Sequence, residues 1–467
     1  MFGERKKQGM ESKVDQPHVI VLPYPAQGHI NPMFQFSKRL ASKGFKATLA
    51  ITVFISNTMK LESSGSVQID TISDGYDAGG LASSGGIQHY LPRLEAIGSK
   101  TLAELIIKHK RTSRPIDCII YDAAMPWALD VAKQYGLHGA AFFTQMCAVN
   151  YIYYNVHHKL LNLPICSTPI SIPGLPLLQP GDLPSFVCSS EGSYIAYLGR
   201  VLNQFKNIDK ADFILINTFY KLENEAVESM SKVYPELTIG PTVPSIYLDK
   251  PVENDKAYGL DLFDFNSSTS TDWLSTKPPG SVIYVSFGSV TSISSKQMEE
   301  IARGLNNSNF YFLWVVRASE EAKLPKGFKE ESGEKGLIVN WSPQLDVLSN
   351  EAVGCFFTHC GWNSTTEALS LGVPMVAMPQ WTDQPTVGKY IEDVWKVGVR
   401  VKIDDVSGIV NREEIESCIR QVMEGGRGKE IKENAKKWRE LALEAVGEGG
   451  TSDRNIDEFM SKLRRTA

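Results

Sequence analysis

Residues 341–384 read WSPQLDVLSNEAVGCFFTHCGWNSTTEALSLGVPMVAMPQWTDQ. The apolar run 353–357 has the length and composition of a buried strand. THCGWNST follows it, then a helical stretch, then a second apolar run at 374–379. Strand, helix and strand in this order imply a parallel crossover. The helix is expected to start near Asn363 or Ser364, whose side chains suit an N-cap. Its open backbone N–H groups and positive dipole end then face the C-terminal edge of the preceding strand, a site for a phosphate or diphosphate. Gly361 lets the backbone come close to a ligand. His359 stands beside that site with a donor for a phosphate oxygen. Glu367 lies one turn beyond Asn363, where a carboxylate can accept from a ribose diol. WTDQ supplies a ring, a carboxylate and an amide suited to sugar hydroxyls. Taken singly, THCGWNST would be a tight corner and Trp341 or Trp381 a core aromatic.

The same alternation extends in both directions. Strands are expected at 18–24, 46–52, 67–72, 117–121 and 139–143, separated by helical stretches, and again at 212–218 and 237–240. A helix carrying Met33, Phe36 and Leu40 on one face should follow the turn PAQGHINP and stop at Gly44. The second half repeats the rhythm at 281–287, 310–316 and 336–341, and from 411 onward it is helical and charged. Residues 1–245 and 271–450 therefore read as two α/β domains joined by a polar linker at 246–270, with residues 451–467 as a closing helix. The rhythm breaks at 161–187, where Pro164, Pro169, Pro173, Pro176, Pro180 and Pro184 exclude a helix or central strand. A long irregular insert of this kind is expected to wall a binding pocket.

Composition narrows the class. The chain has 467 residues, a formal charge of −5 and 42 % hydrophobic residues. It lacks the basic field of a nucleic-acid binder and any apolar run long enough for a membrane-spanning helix. Seven dispersed cysteines without a CxxC pair fit a reducing compartment. The N-terminus carries a basic cluster with no apolar segment behind it, so a cytoplasmic protein is expected, with Met10 as a second candidate start. His157 and His158 are adjacent and lack the spacing of metal ligands, and no metal site is expected. No GxSxG, P-loop or dinucleotide fingerprint occurs.

In the first half, His29 follows the first strand, and Asp122 ends the strand at 117–121. Strand ends in a parallel sheet point the same way, so the two side chains can meet. An imidazole oriented by a carboxylate is a general base.

The segment 341–384, with PYPAQGHINP, YDAAMPWALDVA, FFTQMCAVN and YVSFGS, resembles the plant secondary-product UDP-glycosyltransferases. The texture of ISDGYDAGG and LTIGPTVPSIYLDK resembles the branch acting on salicylate, thiohydroximates, steviol, mogrol and cardenolide-type steroids. The resemblance implies the GT-B fold, two Rossmann-like domains facing across a cleft, with the last helix crossing back to the first. It implies that Trp341 stacks on uracil, that Ser342 and Gln344 bond uracil and ribose, and that Glu367 holds the ribose. It assigns His359, Asn363, Ser364 and Ser289 to the phosphates, and Trp362, Asp383, Gln384 and Thr144 to the sugar. Gln384 implies glucose, since galactosyl relatives tend to carry His there. His29 and Asp122 match the family's catalytic pair. The expected reaction is inverting transfer from UDP-glucose to a hydroxyl, with UDP-glucose as co-substrate, no cofactor, and the chain a monomer.

The acceptor pocket is expected from 75–86, 125–127, 146–150, the proline-rich insert and 186–197. These stretches are apolar and aromatic, suiting a steroid or terpenoid first and a phenolic next. Glucose ester formation on a small carboxylic acid, transfer of another sugar, and a non-catalytic binder on the same scaffold are the alternatives.

Overall fold

The computed structural model describes residues 16–58, 66–165, 168–188, 194–248, 268–404 and 406–466. The N-terminal stretch with Met10, Cys166, most of the expected linker and residues 189–193 of the acceptor region lie outside the described residues.

Thirteen strands in the described residues form two parallel sheets. The first holds β1 (His18–Leu22), β2 (Lys46–Thr52), β3 (Val67–Ile72), β4 (Cys118–Asp122), β5 (His138–Phe143), β6 (Phe213–Ile216) and β7 (Glu236–Thr238). The second holds β8 (Val282–Ser286), β9 (Tyr311–Val315), β10 (Gly336–Val339), β11 (Val353–Thr358), β12 (Met375–Ala377) and β13 (Gly398–Arg400). Helices cover the sheets, so central strands are apolar on both faces; all five residues of β1 and of β8 are buried. β13 was not anticipated, because a three-residue strand with a glycine at its start carries almost no periodic signal.

The strand orders are β3-β2-β1-β4-β5-β6-β7 and β10-β9-β8-β11-β12-β13. Each order reverses once, between β1 and β4 and between β8 and β11. The crossovers diverge to opposite faces at these reversals and leave a crevice above the C-terminal strand ends. β1 and β4 pair through Leu22↔Tyr121, and β8 and β11 through Ser286↔Thr358, so the segments after these residues border the two crevices.

Two helices start earlier than expected. The first spans Gln27–Ser42 with Ala26 as N-cap, so most of PAQGHINP is helical and His29 sits in the first turn. Pro32 lies inside this helix and has no N–H to give the Gly28 carbonyl. The second spans Trp362–Leu371, with Gly361 as N-cap in place of Asn363 or Ser364. Glycine offers no capping side chain, so the first-turn N–H groups stay open to a ligand.

The last helix, Thr451–Thr466, returns to the first sheet. Ile456, Phe459, Met460 and Leu463 are buried in one cluster with Val19, Phe36 and Phe142. Each such side chain contributes about 1.5–3 kcal/mol of burial. Lys43 reaches Asp453 and Asp457 on this helix, both at 2.7 Å. Cys118, Cys147, Cys355, Cys360 and Cys418 are free and buried, and Cys188 is free and half-buried. Among the described residues no helix is long and apolar enough to cross a membrane.

Candidate active site

Both crevices open into one cavity of about 1350 Å³. On the first-sheet side His29 Nδ1 lies 2.6 Å from Asp122 Oδ2. Ala124 N donates to Asp122 Oδ1 at 2.9 Å and Tyr24 N to Oδ2 at 3.4 Å. Burial of Asp122 opposes its ionisation, yet the charge of His29, the hydrogen bond between them and the Ala124 N–H outweigh it. The carboxyl is held below the usual carboxylate range. With Nδ1 committed to Asp122, Nε2 is the ring nitrogen left to exchange a proton with a ligand. Thr144 Oγ1 lies 3.1 Å from His29 Nδ1 and also lines the cavity.

On the second-sheet side, Gln344 Nε2 donates to Glu367 Oε2 at 2.6 Å and to Ser364 Oγ at 2.9 Å. The Tyr284 hydroxyl donates to Gln344 Oε1 at 3.3 Å and meets Ser342 Oγ at 3.1 Å. Trp341 and Ser289 line the same wall. His359 is wedged between Gly288 and Gly361; a Cβ on either glycine would fall 2.6 or 2.5 Å from its Nε2. Burial drives the His359 pKa down to about 4, so the ring is neutral at pH 7. Asp383 is buried, and that burial raises its pKa against the pull of the Thr382 hydroxyl. Gln384 Oε1 accepts from Gln380 N and Trp381 N, at 2.9 and 3.1 Å, and the residue lines the cavity.

Two expected donor residues bond across the cleft. The Trp362 indole N–H donates to the Asn217 carbonyl at 2.7 Å. Its side chain therefore joins the halves, and its indole N–H is taken. Asn363 Nδ2 donates at 2.9 Å to the Gly28 carbonyl, the one that Pro32 leaves free.

The acceptor end is narrower in membership than expected. Leu81, Gln145, Phe186 and Tyr197 line it, but Met125, Trp127 and Met146 are buried core residues. Of the proline-rich insert, Phe186 reaches the cavity.

The cavity residues that the sequence did not single out include Arg200, Arg317 and Tyr284. Arg200 stacks on Tyr24 at 4.5 Å, and its Nε has no hydrogen-bond partner among the described residues. Arg317 holds the loop after β8 through the Ser289 and Thr291 carbonyls. Tyr284 looked like strand core, although a buried tyrosine needs a partner for its hydroxyl.

The family described as "UDP-glucoronosyl and UDP-glucosyl transferase" matches residues 269–442. The chain is 57 % identical to a flavonol 7-O-beta-glucosyltransferase of Arabidopsis thaliana, over 96 % of this chain and 98 % of that one. It is 48 % identical to mogroside I-E synthase of Siraitia grosvenorii, over 96 % and 99 %. The structure of Os79 from O. sativa in complex with UDP superposes with a TM-score of 0.90 at 42 % identity, over 95 % of this chain and 100 % of that one. The chain thus belongs to the UDP-glycosyltransferases, GT-B enzymes that move a sugar from a UDP-sugar to a small molecule.

Proposed function

We propose that the chain is an inverting UDP-glucose-dependent O-glucosyltransferase in which His29, oriented by Asp122, is the general base. The 2.6 Å His29–Asp122 bond at the β1/β4 crevice carries this reading. The acceptor hydroxyl gives its proton to His29 Nε2 as its oxygen bonds the glucose anomeric carbon. The carbon–oxygen bond to the diphosphate breaks, and UDP leaves toward the open N–H groups of the Trp362–Leu371 helix. Attack from the face opposite UDP converts the α-linked donor to a β-glucoside. Residues 1–245 hold the acceptor and 271–450 the donor. The wall of Leu81, Phe186 and Tyr197 suits an apolar steroid, terpenoid or phenolic body. The chain works as a cytoplasmic monomer in this reading, the free cysteines supporting a reducing compartment.

The test is His29→Ala with UDP-glucose and a panel of hydroxyl acceptors, read as glucoside mass. Turnover should fall on the order of 10³-fold while calorimetric UDP affinity holds. Unchanged turnover would sink the mechanism. Donor binding by the unaltered chain without UDP release on any acceptor would leave a binder on this scaffold.

Arg200 favours a second reading, glucose ester formation on an apolar carboxylic acid. Its stacked guanidinium at the acceptor end is a counter-charge for such a group. Arg200→Leu should raise the KM of a carboxylate acceptor about tenfold and leave a neutral acceptor's nearly unchanged. Equal effects on both would reject this role.

A further inference from the structure

The proline-rich insert touches the second half at the turn that carries Asp383 and Gln384. Ser185 N donates to the Thr382 carbonyl at 2.8 Å. Thr382 N donates back to Ser185 Oγ, also at 2.8 Å. Thr382 holds φ +59°, a left-handed backbone that a β-branched residue keeps only where its surroundings impose it. The Trp381 ring packs edge-on against Phe186 and Tyr197, with centroids 6.0 and 5.6 Å apart. Phe186 is both an acceptor-wall residue and the neighbour of Ser185.

A second anchor lies three residues upstream. The Asp182 carboxylate is almost wholly buried. Its Oδ1 accepts from Arg400 Nη1 at 2.7 Å, and Lys389 Nζ lies 3.6 Å from Oδ2. Oδ2 also accepts from Gln179 N at 2.8 Å, which fixes the turn of the insert itself. The Asp182 carbonyl accepts from Thr386 Oγ1 at 2.7 Å. Thr386 and Lys389 belong to the helix Gln384–Lys389, which begins at the expected sugar-reading glutamine. Arg400 ends β13.

We propose that Ser185 and Asp182 are positioning residues that couple the two ends of the cleft. They hold the Trp381–Gln384 turn at the right depth for the donor sugar and tie that depth to the shape of the acceptor wall. A displacement of Phe186 by an acceptor passes to Thr382 through the Ser185 bonds. Sugar discrimination and the exclusion of water then depend on a segment that touches no sugar. The contacts involve neither Trp341, Gln344 nor Glu367, so the nucleoside end is outside the coupling. The inference rests on the glucosyl transfer proposed above.

The experiment compares Ser185→Ala, Asp182→Asn and Arg400→Lys with the unaltered chain. Three quantities are read: calorimetric UDP affinity, the split of UDP-glucose between glucoside and free glucose, and the preference for UDP-glucose over UDP-galactose. Ser185→Ala and Asp182→Asn should lower kcat for transfer about tenfold. UDP affinity should stay within about twofold. The hydrolysed share should rise, because a loosened turn admits water to the anomeric carbon, and the sugar preference should relax. Arg400→Lys, which keeps the charge, should recover most of the transfer. An unchanged split and preference in both variants would overturn the coupling. So would a fall in UDP affinity parallel to kcat, which would mark general damage to the second half. Glucoside formation by the unaltered chain tests the transfer itself, and the variants' split and preference test the coupling alone.

Discussion

The β1/β4 crevice and the β8/β11 crevice share a strand-order reversal but are furnished with different materials. The first sets a buried carboxylate against an imidazole at 2.6 Å. The second presents open helix N–H groups, a histidine that burial keeps neutral, and the Gln344–Ser364–Glu367 network. The difference suits the tasks proposed for them. A group that moves a proton has to change charge, and a fixed carboxylate stabilises the imidazolium so formed. A diphosphate is already charged when it arrives, and aligned dipoles stabilise it without reorganising as the leaving group gains charge. A net charge of −5 is therefore no obstacle to binding UDP.

Asp122→Asn breaks the first crevice most sharply. An amide can keep the shape, but it neither stabilises an imidazolium nor enforces the Nδ1–H tautomer. The kcat for a hydroxyl acceptor should fall on the order of 10²–10³-fold, with UDP affinity unmoved in calorimetry. A matching loss of UDP affinity would mean that the two crevices are not chemically separate. A smaller effect is expected in the second crevice. Gln384→His replaces an amide whose oxygen closes the Gln380–Trp381 turn and whose NH2 is free to donate. Transfer of glucose should drop about tenfold in kcat/KM, the scale of losing a well-placed hydrogen bond. An unchanged ratio between UDP-glucose and UDP-galactose would show that this residue does not read the sugar.

The two crevices also differed in how far the sequence exposed them. The second is assembled largely from one contiguous stretch, so Trp341, Gln344, His359, Glu367 and Gln384 could be proposed together, and the fold brings them to one cavity. Strands β2 and β3 were legible to the residue. What escaped depends on distant partners. The Trp362 indole N–H looked available to a sugar because Asn217, whose carbonyl accepts it, lies 145 residues away. Arg200 carried no sequence signal, and folding stacked it on Tyr24. The N-cap moved to Gly361 because local capping preference gave way to close packing around His359. Met125 and Met146 were expected on the acceptor wall from their apolar character and are core residues by topology. Local composition reports that a side chain is apolar, and only tertiary contact decides whether it faces ligand or core.

The smallest expected effect concerns acid stability, and it too separates the halves. Burial lowers the pKa of His359 to about 4, and burial does the same to His18 on β1, where Thr48 Oγ1 and the Arg114 carbonyl take its ring nitrogens. Unfolded, both titrate near about 6.5. Between these values the unfolded chain binds a proton at each site that the native chain refuses. Native stability therefore falls as the pH drops from about 6.5 toward 4, by up to about 3 kcal/mol per histidine, and is intact above that range. His359→Gln and His18→Gln should each flatten the decline in melting temperature between pH 7 and pH 4.5. They should differ in ligand binding, since only His359 borders the diphosphate crevice and its replacement alone should weaken UDP. If His359→Gln left the acid decline as steep as before, the imidazole would titrate in the native crevice as it does in the unfolded chain, taking a proton below about pH 6.5. The contrast between a first-crevice imidazole that takes up a proton and a second-crevice imidazole that refuses one would then fail.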